Sequence, residues 1–383
     1  MQGHVVTGSE SASALHSHGF DWTRTLTLGL GSASALLIFL ALSVPLSLVD
    51  GLGVLLSFLL AATIVLILTP PLIRKMLAGG MVGVDVNKTA KAPVAELGGI
   101  AALFSFSISL SLVVGVQKLL GYVPEPPFLA AVSVFFMAAM IGLIDDVSDL
   151  RQRLKAIAVS FAALPLMLVH LGTPAIDLPF GYSFDFSGQW HLIYWLILVP
   201  IGVTGVANAM NMSAGYNGLE SGQIAIISAA LLLVSEVKGS PDVATLVFGA
   251  VLGCSIGLYL FNRYPAKIFI GDIGTLGLGA ALAAGVILGH LEFYGVIAIA
   301  PAFYEMAATV YFGLHGENGN RKKAYRNPVF LPNGQIAAPE GAKHYTLAQW
   351  LLSRKPRTEK RLVSHILLLY ALSGLAALLA SLV

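Results

Sequence analysis

Charge is what this chain has least of: Asp, Glu, Lys and Arg together make up 11% of its 383 residues, while 56% are apolar. With a mean hydropathy of +0.82, that balance excludes a water-soluble globule and points to a chain whose main solvent is lipid. Cysteine is nearly missing as well. Cys254 stands alone, which excludes an internal disulfide and a thiolate metal centre, and with them the redox chemistry they support. A net charge of +2 is too small to argue for nucleic acid as a partner. No P-loop pattern occurs, so a nucleotide-driven pump has no visible motor. The N-terminus lacks the basic stretch and compact apolar core of a cleavable signal. Residues 1–20, rich in Ser, Gly and His, read instead as a flexible tail in which His4, His16 and His18 are given no role.

What the chain has in abundance is long apolar runs. About eleven stretches between Leu26 and Val383, the first from Leu26 to Val49 and the fifth from Ala156 to Leu171, count as candidate spans against the roughly 20 residues that a helix needs to cross a bilayer. The expected fold is therefore an all-α, polytopic transmembrane bundle of about 10–11 spans. Its organisation reads as the tail 1–20, an extra N-terminal hydrophobic span within 21–50, and a membrane-embedded domain over 51–383. That domain includes a long polar loop, 315–361, before the last span. Following the loops alternately, one side collects Arg74, Lys75, Lys88, Lys91, Arg151, Arg153, Lys155, Arg263, Lys267 and the basic segment from Arg321 to Arg361. The other side collects Lys118 and Lys238. The positive-inside rule makes the first side cytoplasmic.

The polar residues that remain cluster on that same side. Asp145 and Asp146 end an apolar run and are followed by Asp149, Arg151, Arg153 and Lys155. Adjacent carboxylates suit metal binding or the abstraction of one proton, because each raises the other's pKa, although a solvated helix terminus looks the same. Asn208 and Asn211 are three apart and so share a helix face; Asn217 and Glu220 follow in the next turn. Interhelical hydrogen bonds are the plain account of such a pair of amides. Asp272 lies between Gly271 and Gly274 where a span opens, a position that serves as a helix cap or holds Mg2+ against a diphosphate. Asp85, Asn87, Lys88 and Glu96 fill the first cytoplasmic loop, and Arg326 closes the basic run of the last one. Carboxylates, amides and cations gathered at one interface suit phosphoryl transfer, where catalysis is mostly positioning and charge neutralisation.

In this order, Gly83-Val-Asp-Val-Asn-Lys88, Asp145-Asp146, Asn208-Ala-Met-Asn211, Asn217-Gly-Leu-Glu220 and Ile268-Phe-Ile-Gly-Asp272 resemble the polyprenyl-phosphate N-acetylhexosamine-1-phosphate transferases, glycosyltransferase family 4. The resemblance runs from about Leu52 to the C-terminus, and the wording is most similar to the dolichyl-phosphate GlcNAc-1-phosphotransferase branch. It implies transfer of GlcNAc 1-phosphate from UDP-GlcNAc to a polyprenyl, in that branch dolichyl, phosphate, with release of UMP. It also implies that Asp272 and Asn211 ligate Mg2+, with Mn2+ as the alternative ion, and that Lys155 contacts the diphosphate. Asn217 and its neighbours would receive the uridine, and Asp145, supported by Asp146, would orient the lipid phosphate or take its proton. Asp85, Asn87, Lys88, Asn208 and Glu220 complete the expected substrate-binding set, and Arg326 the sugar contact. Tyr325 stands where relatives carry a histidine, and the triple-histidine pattern of the muramoyl-pentapeptide branch is missing.

The competing expectation is a cation-coupled secondary transporter, with Asp145, Asp146 and Asp272 along an ion path. The partners expected are a UDP-N-acetylhexosamine, a polyprenyl phosphate and the membrane, with a homodimer entertained and no nucleic acid. Eukaryote-like motifs without a C-terminal retention signal favour an archaeal plasma membrane.

Overall fold

A computed structural model describes residues 26–35, 49–88, 91–121, 126–169, 174–315, 328–340 and 346–383. The tail 1–20, most of the extra span within 21–50, and Arg326 lie outside the described residues. The chain runs through α1 (Val49–Ala78), a hairpin of β1 (Val82–Val84) and β2 (Pro93–Ala95), α2 (Gly99–Leu119) and α3 (Pro127–Ser148). Two short helices follow, α4 (Gln152–Phe161) and α5 (Leu164–Leu168), then the hairpin of β3 (Ala175–Asp177) and β4 (Ser183–Asp185). Next come α6 (Trp190–Met212), α7 (Leu219–Lys238), α8 (Asp242–Asn262), α9 (Gly271–Leu288) and α10 (Glu292–His315). A small hairpin of β5 (Val329–Phe330) and β6 (Ile336–Ala337), then α11 (Leu347–Arg354) and α12 (Glu359–Ser381), complete it.

Among the described residues nine helices are long and apolar enough to cross a membrane: α1, α2, α3, α6, α7, α8, α9, α10 and α12. The fold is therefore the expected all-α polytopic bundle, with two local differences. The first expected span, Leu26 to Val49, falls partly outside the described residues. The fifth, Ala156 to Leu171, is not one long helix, because the chain breaks at Ala162 and Ala163, just before Pro165, and divides into α4 and α5. The two together still connect opposite faces. Lys155, in the first turn of α4, meets Asp272 at one end, while β3, downstream of α5, packs on α10, which begins at the other. There Phe180 N donates to the carbonyl of Val383 (2.6 Å).

The centre of the bundle is α9, in which every residue from Ile273 to Leu288 is buried. It packs most extensively on α3, and also on α6, α8 and α2. Small residues permit this, as is usual where helices meet without water to drive them together. A Cβ on Gly142 of α3 would lie 2.4 Å from the carbonyl of Asp272, and one on Gly99 of α2 would lie 2.3 Å from Gly274 N. Two neighbouring helices thus grip the first turn of α9, the turn that bears Asp272. A third hold comes from the end of β2 and its junction with α2: Phe269 N donates to Ala95 O, and Gly98 N and Gly99 N donate to Phe269 O and Ile270 O, each at 2.8 Å.

Candidate active site

The carboxylates at the end of α3 take different partners. Asp146 turns both oxygens onto the start of α9, accepting from Asp272 N (2.8 Å) and Ile273 N (3.0 Å). Those amides have no partner within the helix, and a carboxylate there also meets the positive end of the helix dipole. Asp145 turns toward α4, accepting from Leu150 N (2.7 Å) and from Lys155 Nζ (2.8 Å). Asp149, in the left-handed region at φ 48°, ends α3 and allows the chain to fold back so quickly.

Lys155 is buried, which is costly for an ammonium group unless it is paired. It bridges Asp145 and Asp272 and lies 3.4 Å from the Asn211 carbonyl oxygen. Asn211 Nδ2 donates to Asp272 Oδ1 (2.7 Å) and to Thr275 Oγ1 (2.9 Å). Residues from α3, α4, α6 and α9, far apart in sequence, so form one node.

Beside the node lies a cavity of about 350 Å3. Its wall carries five carboxylates, Asp85, Glu96, Asp146, Glu220 and Asp272, the amides of Asn87, Asn211, Asn217 and Asn262, and the rings of Tyr216 and Phe269. No Lys or Arg is among the described residues lining it. Across from the node, Asp85 accepts from Asn87 N (3.0 Å), Asn217 Nδ2 (2.7 Å) and Lys88 Nζ (2.5 Å). Asn87 Nδ2 donates to Gly215 O (2.6 Å). Burial pushes the Asp85 carboxyl up, but the hydrogen bonds from Lys88, Asn217 and the Asn87 amide outweigh it and hold it below its ordinary value of 3.8. Burial and the nearby Asp146 charge hold Glu96 above its ordinary value. Lys88 sits at the rim, its Nζ 4.8 Å from the centre of the Tyr264 ring, with Lys360 Nζ at 5.2 Å from the same centre.

Of the residues expected from sequence, Asp85, Asn87, Asp146, Asn211, Asn217, Glu220 and Asp272 line this cavity. Asp145 and Lys155 reach it through Asp272, and Lys88 through Asp85. Asn208 does not line it; its Nδ2 donates to Thr204 O of its own helix (2.8 Å). Three residues join the site without having been expected there. Thr275 supports Asn211, Asn262 Oδ1 accepts from Gly218 N (3.2 Å), and Glu359 Oε1 accepts from Asn217 N (2.9 Å). Asn262, the polar residue that ends an apolar run, was legible in the sequence; Glu359, within a basic stretch, was not.

These oxygen donors fit a hard divalent cation. A carboxylate has about four lone-pair sites, so Asp272 keeps acceptor capacity beyond Asn211 and Lys155. Glu220 Oε2 is buried with no hydrogen-bond partner. Among the described residues no three His, Cys, Asp or Glu side chains converge as a closed metal cage. Mg2+ does not require one, since it binds through one or two carboxylates together with substrate phosphates and water.

Residues 128–290 match the model of glycosyl transferase family 4. A protein of Saccharolobus solfataricus, provisionally named a UDP-N-acetylglucosamine-dolichyl-phosphate N-acetylglucosaminephosphotransferase, is 32% identical over 65% of this chain and 74% of its own length. The chain belongs to glycosyl transferase family 4. A second relative with that provisional name, from Sulfolobus acidocaldarius, is 31% identical over 64% of this chain and 74% of its own length. A phospho-N-acetylmuramoyl-pentapeptide-transferase of Shouchella clausii is 30% identical over 64% and 77%. The family 4 match contains Asp145, Asp146, Lys155, Asn211 and Asp272, every residue of the node.

Proposed function

We propose that this chain transfers N-acetylglucosamine 1-phosphate from UDP-N-acetylglucosamine to a dolichyl-type polyprenyl phosphate, releasing UMP, with Mg2+ as cofactor and Mn2+ as the alternative ion. The observation that carries the reading is the node in which Lys155 bridges Asp145 and Asp272 beside Asn211, at the wall of a 350 Å3 cavity. The relatives' names give further support. A transporter would need its charged residues along a path through the bilayer. Here Asp145, Asp146 and Asp272 instead sit at the ends of α3 and α9 on one face.

An oxygen of the lipid phosphate attacks the β-phosphorus of the donor. The new P–O bond forms as the bond from that phosphorus to the bridging oxygen breaks, and UMP leaves with the electron pair. A phosphate monoester loses its second proton at about pH 6, so the attacking oxygen is already ionised at neutral pH and needs no base. Asp145 is then free to orient Lys155, which neutralises phosphate oxygens, and Asp146 to fix the turn that carries Asp272. Asp272 and Asn211 would hold the divalent cation, which supplies charge neutralisation on the diphosphate when bound. Asn217 and Asp85 form the wall assigned to the uridine, and Arg326 is the sugar contact. By the positive-inside rule the site opens to the cytoplasm, and the archaeal relatives favour an archaeal plasma membrane.

The test is product analysis with purified protein, dolichyl phosphate and UDP-GlcNAc. UMP should form only with both substrates present, stop on chelation, and resume with Mg2+ or Mn2+. Release of UDP, or turnover that survives chelation, contradicts the proposal.

A further inference from the structure

We propose that Glu359 is a positioning residue for the donor, acting through the main-chain amide of Asn217; the inference rests on the transferase reading above. Glu359 lies in the first turn of α12, 87 residues beyond Asp272, the last of the node residues in the chain. It is 5% exposed, and Oε1 accepts from Asn217 N at 2.9 Å. Asn217 is itself 5% exposed and begins a turn that no regular structure supports. Gly218, which follows it at φ +84°, is in the left-handed region that favours glycine, and its amide is taken by Asn262 Oδ1. Side chains from α12 and α8 therefore hold successive amides of this turn, while Asp85 and Asn87 hold it from the far side through the Asn217 side chain and Gly215 O.

The consequence is specific. Asp85 holds the Asn217 side chain and Glu359 its main-chain amide, so the main-chain position of this corner of the wall depends on Glu359. Leaving the buried Asn217 amide without an acceptor costs enough that an equilibrium changes by about ten- to hundredfold. Because the side chains that hold the turn are those of Asp85, Asn87, Asn262 and Glu359 and not those of the node, that change belongs to donor binding and not to the chemical step.

The experiment compares E359L and E359Q with the wild type in detergent. Gln keeps an acceptor oxygen of the same reach; Leu removes it. E359L should raise the KM for UDP-GlcNAc about ten- to hundredfold, with kcat and the KM for dolichyl phosphate within about twofold of wild type, and E359Q should recover most of that affinity. Hydrogen exchange at the 213–219 segment should accelerate at least about tenfold in E359L but not in E359Q. An unchanged donor KM in E359L, or equal loss in kcat and both Michaelis constants, overturns the proposal. Unchanged exchange overturns it even if the wild type turns nothing over, whereas wild-type silence with accelerated exchange in E359L counts against the transferase reading alone.

Discussion

Replacing Asp146 by Asn or Ala perturbs catalysis without touching either substrate. Its carboxylate receives the Asp272 and Ile273 amides at 2.8 and 3.0 Å, two of the contacts that hold the start of α9. Asp146 lines an open cavity, so water can replace part of what Ala removes. The cost then falls in the range of a lost helix cap, about 1–2 kcal/mol. If all of that appears as misplacement of Asp272, kcat falls about five- to thirtyfold, since each 1.36 kcal/mol is tenfold in rate. Asn keeps one of the two acceptors and should lose less. Gly271 probes the same contact from the other side. A Cβ there would lie 2.7 Å from Asp146 Oδ2, in a backbone conformation (φ +74°) that L side chains rarely adopt. Gly271→Ala should therefore reduce kcat as well, and the double variant should lose less than the sum of the two, as expected for residues in contact. The assay is UMP release at saturating substrates, with thermal unfolding run alongside. Folded D146A protein with kcat within twofold of wild type, or strictly additive losses in the double variant, would refute the reasoning.

Asp272→Asn should reduce turnover by more than about a hundredfold and weaken Mn2+ binding measured by electron paramagnetic resonance; normal activity in a correctly inserted variant removes it as a ligand. Asp85 is held below its ordinary value, so its contribution to stability is present above pH 3.8 and is lost as pH falls through its lower folded value. The difference in melting temperature between wild type and D85N should thus shrink on acidification from pH 7 toward pH 3, and a gap that widens is the contrary result. Cysteines placed at Ser183, on the β3–β4 hairpin, and at Arg263, after α8, should label from opposite sides of the membrane, with buried Cys254 silent; labelling from one side breaks the topology.

The sequence made the spans legible because lipid imposes a length and a composition on any helix that crosses it. It misjudged α4–α5, where the hydropathy is continuous but the chain breaks at Ala162 and Ala163 beside Pro165. The node was legible residue by residue, since Asp145, Asp146, Asn211 and Asp272 are polar groups at the ends of apolar runs, where only function or capping explains them. What the sequence left open was how the two adjacent aspartates divide their work. That division depends on α4 turning back so that Lys155 reaches Asp145, and on Gly142 letting α9 approach until Asp146 reaches its amides. Asn208 illustrates the converse. It shares the motif and the helix of Asn211, yet its amide closes on its own helix at Thr204. Glu359 was invisible, because a single glutamate among lysines and arginines is the usual composition of a solvated helix start, and only the packing of α12 against α7 brings it to Asn217.

The most direct measurement follows the phosphorus itself. UDP-GlcNAc labelled at the β-phosphate is incubated with the protein, dolichyl phosphate and Mg2+, and the label is traced after phase separation. Attack at the β-phosphorus carries the label into the lipid, in equal amount with unlabelled UMP in water, and the D272N protein transfers none. Label that stays in the aqueous phase as UDP, while sugar reaches the lipid, would mean that the bond to the sugar breaks instead, and the account of this site would be wrong.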